Sequence, residues 1–165
     1  MSCPLCTADG GLVVARTPLF RVVRVVDGDE AQRFPAFYRL IWNAHVAEFS
    51  DLAAAERHAC MDAVAEIEQV LRAQLRPTKV NLASLGNVVP HLHWHVIARF
   101  DTDSHYPAPV WAAAQREAAL PALDLAALDA AVAQRLAVMT MRAGPCAEAA
   151  GAVASSGETN ASCIR

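Results

Sequence analysis

The stretch PHLHWHVIAR, residues 90–99, constrains this chain more than any other. His91, His93 and His95 stand at every second position, with Leu92, Trp94 and Val96 alternating with them. Side chains on an extended strand alternate between two faces. The spacing therefore predicts a strand over 91–99 with three imidazoles on one face and apolar groups turned to a core on the other. At roughly 3.3 Å per residue, His91 and His95 lie about 13 Å apart along the backbone, while metal–imidazole bonds run only about 2.0–2.1 Å. A single ion held by all three histidines is disfavoured, and the triad is expected to divide its labour.

The strand needs partners, and the rest of the chain supplies them. GLVVA (11–15), LFRVVRVV (19–26), YRLIW (38–42) and KVNLAS (79–84) are short β-rich runs, and DGDEAQRFP (27–35) reads as a polar connection with turn chemistry. Ser50 is a candidate N-cap for a helix reaching about Leu75, with Cys60, Val64, Ile67, Leu71 and Leu75 as its apolar stripe and Pro77 beyond its end. Asp124 can cap a second helix with Leu125, Leu128, Val132 and Met139 inward, after a looser DTDSHYPAPVW segment. These elements predict an α+β domain on a mostly antiparallel sheet, with one long helix and a C-terminal helix. The domain is assigned to residues 1–142. Residues 143–165, rich in Ala, Gly, Ser and Thr, are expected to be a disordered tail.

Composition bounds the function. With 55% hydrophobic residues, the 165-residue chain suits one domain with a real core. Its formal charge of −3 comes without a basic run, which argues against nucleic acid as a partner. No apolar run approaches the roughly 18–20 residues of a membrane span, and MSCPLCTADGG lacks the character of a signal peptide. A cytoplasmic protein with reduced thiols is expected.

Cys3 and Cys6 form a C-x-x-C, which reads as half a zinc site, a redox pair or chance, with redox last because TADGG reads as a turn. A tetrahedral zinc needs two more ligands. His45, just past the YRLIW run, and His91, at the loop end of the triad, can supply them. A Cys3, Cys6, His45 and His91 site has no open position, so the zinc would be structural and no catalytic metal is expected. His93 and His95 remain as a pair of imidazoles able to provide a nucleophile and a general acid. Asn81 and Asn87 can donate amide hydrogen bonds to an anionic oxygen. Phosphoryl or nucleotidyl transfer fits these groups. The other candidates have plainer readings: Trp94 as core packing, Cys60 as a small apolar filler, His58 and His105 as structural residues.

HLHWHVI resembles the His-φ-His-φ-His-φ-φ signature of the histidine-triad family, where φ is apolar. CPLC, LIWNAHVAEFSDL and KVNLASLGNVVPHLHWHVIAR extend the resemblance in the family's order over residues 3 to about 111. It implies a homodimer that cleaves a purine nucleotide at its α-phosphate, acting on nucleoside phosphoramidates or dinucleoside polyphosphates. By the resemblance, His93 attacks phosphorus to form a nucleotidyl-histidine, His95 contacts phosphate and assists the leaving group, and Asn81 contacts the phosphate region. Asn87 stands where the family usually has Gln, and Val88 where Ser or Thr is common. Asp27 is the candidate for a ribose contact, because the segment lacks the family's Pro-Gly-His turn. The alternatives are a non-catalytic nucleotide-binding module and a nucleotidyltransferase using the same intermediate.

Overall fold

The computed structural model describes residues 2–143. Five strands, β1 (Leu12–Arg16), β2 (Phe20–Arg24), β3 (Phe37–Trp42), β4 (Lys79–Ala83) and β5 (His93–Arg99), form one antiparallel sheet in the order β1-β2-β3-β5-β4. A short N-terminal helix, α1 (Pro4–Thr7), precedes the sheet, and α2 (Gly28–Arg33) joins β2 to β3. The long helix α3 (Ala54–Leu75) and the last helix α4 (Leu125–Ala143) complete the domain. Of the expected tail, Ala143 ends α4, and residues 144–165 lie outside those described.

Period-2 alternation gives the sheet two different faces. Phe20, Val22, Tyr38, Leu40, Trp42, Val80, Val96 and Ala98 face one way, into a core closed by Cys60, Ala63, Val64, Ile67 and Leu71 of α3 and Leu128, Val132 and Leu136 of α4. Leu92 and Trp94 join this core as expected, Trp94 lying edge-on to Phe49 at 5.8 Å. Cys60 is fully buried, and burial pushes its thiol up to about 11, consistent with an inert apolar filler. The opposite face carries Arg39, His93, His95, Asn81 and Arg99, on the ladder positions between the core residues.

Three expectations are corrected in detail. The connection at 27–35 contains a helical turn, α2, and Arg33 pairs with Asp29 one turn back. The long helix does not start at Ser50, which lies in a 3-10 turn over Phe49–Asp51. Its N-cap is Ala53, whose N–H donates to the Glu56 carboxylate at 2.9 Å, the one capping contact that alanine permits. The segment after β5 is not loose. Arg99 and Asp103 are buried at 1% and 0% exposure and bond at 2.7 and 2.9 Å, while Asp103 also accepts the N–H groups of His105 and Tyr106. Arg99 donates further to Ala108 O and Asn81 Oδ1. A buried ion pair with every guanidinium nitrogen hydrogen-bonded folds residues 99–108 around itself.

The N-terminal segment is held across the site face of the sheet. Arg21, 7% exposed on β2, donates to the carbonyls of Leu5, Ala8 and Asp9 at 2.6, 3.1 and 3.0 Å. Gly10 turns the chain there with φ +83°, and a Cβ at that position would stand 3.0 Å from both Ile41 and Leu5. Asp124 caps α4 as expected, its Oδ1 accepting Ala127 N–H at 3.0 Å.

Candidate active site and metal centre

His91 lies in the bend before β5 and not within the strand, and this placement separates its work from that of the other two histidines. Its Nε2–H donates to Trp42 O at 2.7 Å in a fully buried setting. In the neutral ring that bond leaves the lone pair on Nδ1, which faces Cys3 Sγ at 3.4 Å, Cys6 Sγ at 3.5 Å and His45 Nδ1 at 3.3 Å. Cys6 Sγ lies 3.4 Å from His45 Nδ1, and the four donor atoms all lie within 4.8 Å of one another. A tetrahedral zinc with bonds near 2.0–2.3 Å would set its ligand atoms about 3.3–3.8 Å apart. These four side chains fit that ion. Burial and the neighbouring Cys3 push the Cys6 thiol up, a cost that a bound cation reverses by holding the thiolate. The cluster brings together all four sequence-predicted ligands.

His93 and His95 point from the strand into a cleft of about 400 Å³, whose wall includes Arg39, Asn87, Val88 and Trp111. Their rings meet edge to face, 4.8 Å between centroids. His93 Nδ1–H donates to the carbonyl oxygen of His91 at 2.6 Å. That bond fixes the tautomer and leaves Nε2 with its lone pair. Burial, together with the Arg39 and His91 charges, lowers the His93 pKa against the opposing hydrogen bond to His91. His95 is 5% exposed, packed between Phe37 and Trp111 at 5.3 and 5.2 Å, and its Nδ1 has no partner. Burial, with lesser contributions from His93 and Arg39, pushes it down to about 3. Both shifts favour the neutral imidazole near pH 7.

Of the other sequence-predicted residues, Asn87 lines this cleft, exposed in the loop before the triad. Asn81 does not: its amide oxygen accepts from Arg99 at 2.7 Å, and it lines an adjoining depression that shares Leu85 and Trp111 with the cleft. Asp27 is exposed at the start of α2 and is not part of the cleft wall. Two cleft residues escaped sequence reasoning. Arg39 had a signal, a lone charge at an alternating position of an otherwise apolar strand. Trp111 had none, because only the fold of the 99–108 segment carries it to His95.

A five-stranded antiparallel sheet that presents a tautomer-locked histidine and a second buried imidazole to one cleft defines a histidine-triad protein. The HIT domain family model matches residues 13–102, more than half of the chain, and the chain belongs to that family of nucleotide-binding hydrolases and transferases. Among solved structures it is similar to a histidine triad protein from Bradyrhizobium japonicum, with 26% identity, TM-score 0.61, and 75% of this chain and 89% of that one covered. A histidine triad protein from Sinorhizobium meliloti gives 25% identity, TM-score 0.60, and 75% and 88% coverage. A zinc-bound histidine triad family protein from Mycobacterium smegmatis shares the fold at 16% identity, TM-score 0.54, with 86% and 98% covered. No curated relative matches the sequence. No helix among the described residues is long and apolar enough to cross a membrane.

Proposed function

We propose that this chain hydrolyses purine nucleotides at the α-phosphate, as nucleoside phosphoramidates or dinucleoside polyphosphates, through a covalent nucleotidyl-histidine on His93. The observation that carries this reading is the 2.6 Å bond from His93 Nδ1 to the His91 carbonyl, which leaves Nε2 free in a cleft-lining side chain. Nε2 attacks phosphorus and forms an N–P bond, and the bond to the leaving group breaks with its electron pair departing on that group. Water then attacks the same phosphorus. The N–P pair returns to Nε2 and the water proton passes to solvent. Asn87 donates to a phosphate oxygen, and His95 offers its N–H beside the departing atom.

Cys3, Cys6, His45 and His91 hold a structural zinc in this reading, in keeping with the zinc-bound mycobacterial relative. Four protein donors leave it no open position, so its chemistry is to pin the N-terminal segment to the sheet. The protein works in the cytoplasm as a homodimer, which light scattering of the purified chain tests.

Incubation with adenosine phosphoramidate and with diadenosine tetraphosphate tests the activity. His93→Ala should lose about 10³-fold or more of kcat with nucleotide binding retained. Equal turnover by the variant and the parent chain sinks the proposal. Transfer of the nucleotidyl group to added phosphate, in place of release to water, makes the enzyme a transferase with the same intermediate.

A further inference from the structure

Arg39 is the one charged side chain among the described residues lining the cleft. Its Nη2 lies 3.2 Å from Glu30 Oε2 on α2, a pair with side chains 24% and 39% exposed. Its Nε is buried and has no acceptor. Directly across the ladder stands His95, whose Nδ1 is the second buried polar atom of the cleft without a partner. Two orphaned atoms on facing strand positions cost stability unless a ligand completes them. The register also matters. Arg39 opposes His95, the imidazole that the reading above sets beside the departing atom, whereas the nucleophile His93 opposes Ile41.

Resting on the nucleotidyl-histidine reading above, we infer that Arg39 grips the departing half of the substrate and so favours, between the two substrate classes, nucleotidyl compounds whose leaving group is itself a phosphate, with Glu30 as the counter-ion it displaces. Nε–H and the Nη2–H beside it form the planar fork that takes two oxygens of one phosphate. Glu30 sits on a short, half-exposed helix and yields a pair of the kind that is worth little. When the P–O bond breaks, its electron pair stays on the departing phosphate oxygen, and the charge faces the guanidinium. No proton is required at that moment. An amine leaving group does need one, and it offers the fork no oxygens, so the guanidinium does nothing for it.

Steady-state kinetics of the full chain on diadenosine tetraphosphate and adenosine phosphoramidate test this, with Arg39→Gln, Arg39→Lys and Glu30→Gln checked for native melting. Arg39→Gln should lower kcat/KM for the tetraphosphate on the order of 10- to 100-fold, the size of one lost charge-assisted hydrogen bond. Its loss on the phosphoramidate should stay under about threefold, and Arg39→Lys should recover part of the tetraphosphate activity. Glu30→Gln should lower KM for the tetraphosphate by about threefold. Equal losses on both substrates, or none, overturn the inference. Should the parent chain turn over neither compound, the hydrolase reading fails. Calorimetric binding then decides Arg39 separately. Diadenosine tetraphosphate binding that weakens in Arg39→Gln while AMP binding holds supports the grip, and equal binding overturns it.

Discussion

Asp103 shows how one residue sets the behaviour of a whole loop. Burial raises its carboxyl pKa, but the Arg99 guanidinium and the N–H groups of His105 and Tyr106 more than offset this and hold it below the usual carboxylate range. A depressed folded pKa means that the unfolded chain binds the proton first. The stabilisation is therefore complete above about pH 4, the unfolded value, and is lost as pH falls through the folded one. Asp103→Asn leaves a buried guanidinium unpaired and should cost about 3–5 kcal/mol. Urea midpoints from pH 6 down to pH 3 should show the parent falling steeply below pH 4 and the variant, already weaker, falling less. Parallel slopes would show that Asp103 is not the titrating group. Little of this was legible in the sequence. Arg99 closes an apolar run and Asp103 sits in DTDSHYPAPVW, which composition alone makes a surface loop. Only the fold shows that the pair is buried.

Elements were more legible than residues, because period and burial are written together. The stripe of α3 and the alternation of β5 transferred directly into the core. The start of α3 was harder to place, since Ser50 is the better cap by chemistry while Glu56 reaches back to Ala53 by geometry. The short α2 was hidden by turn-forming residues. The docking of α4 depends on polar contacts that no periodicity signals. Asp129 accepts from Arg24 Nε at 2.9 and 3.1 Å and from Tyr38 Oη at 2.6 Å, tying the helix to β2 and β3. Burial and then Asp129 push the Tyr38 phenol up, so it remains a donor across the working pH range. Asp129→Ala strands both donors and should cost about 1–3 kcal/mol. Hydrogen exchange should accelerate in α4 more than in α3. Uniform acceleration across both helices would mean that the contact does not secure α4 in particular.

At the scale of the whole molecule, His91 joins the Cys3, Cys6 and His45 cluster to His93, its side chain serving one and its backbone carbonyl the other. The question is whether removing metal is felt as lost stability or lost rate. The His91 carbonyl is held by bonds that involve no metal. His91 N–H donates to Val89 O at 2.8 Å, Leu92 N–H to Val46 O at 2.7 Å and Trp42 N–H to Leu92 O at 3.1 Å, while the imidazole stays anchored on Trp42 O. Cys3 and Cys6 lie on the N-terminal segment, which Arg21 holds only through the Leu5, Ala8 and Asp9 carbonyls, and their contacts with His91 close loops of 88 and 85 residues, while His45 closes one of 46. Metal removal should therefore cost stability first. Zinc at about a hundred times its dissociation constant contributes roughly 2.7 kcal/mol, or about 5–10 °C in Tm for a chain of this size. Chelation should lower Tm by that amount, and more zinc should be needed as pH falls, since the donors bind metal only when deprotonated. Well below the lowered Tm, kcat should change less than about threefold, because the bond orienting His93 survives. A collapse of kcat in a chain that calorimetry still finds folded would mean that His91 is oriented by the metal and not by its own backbone.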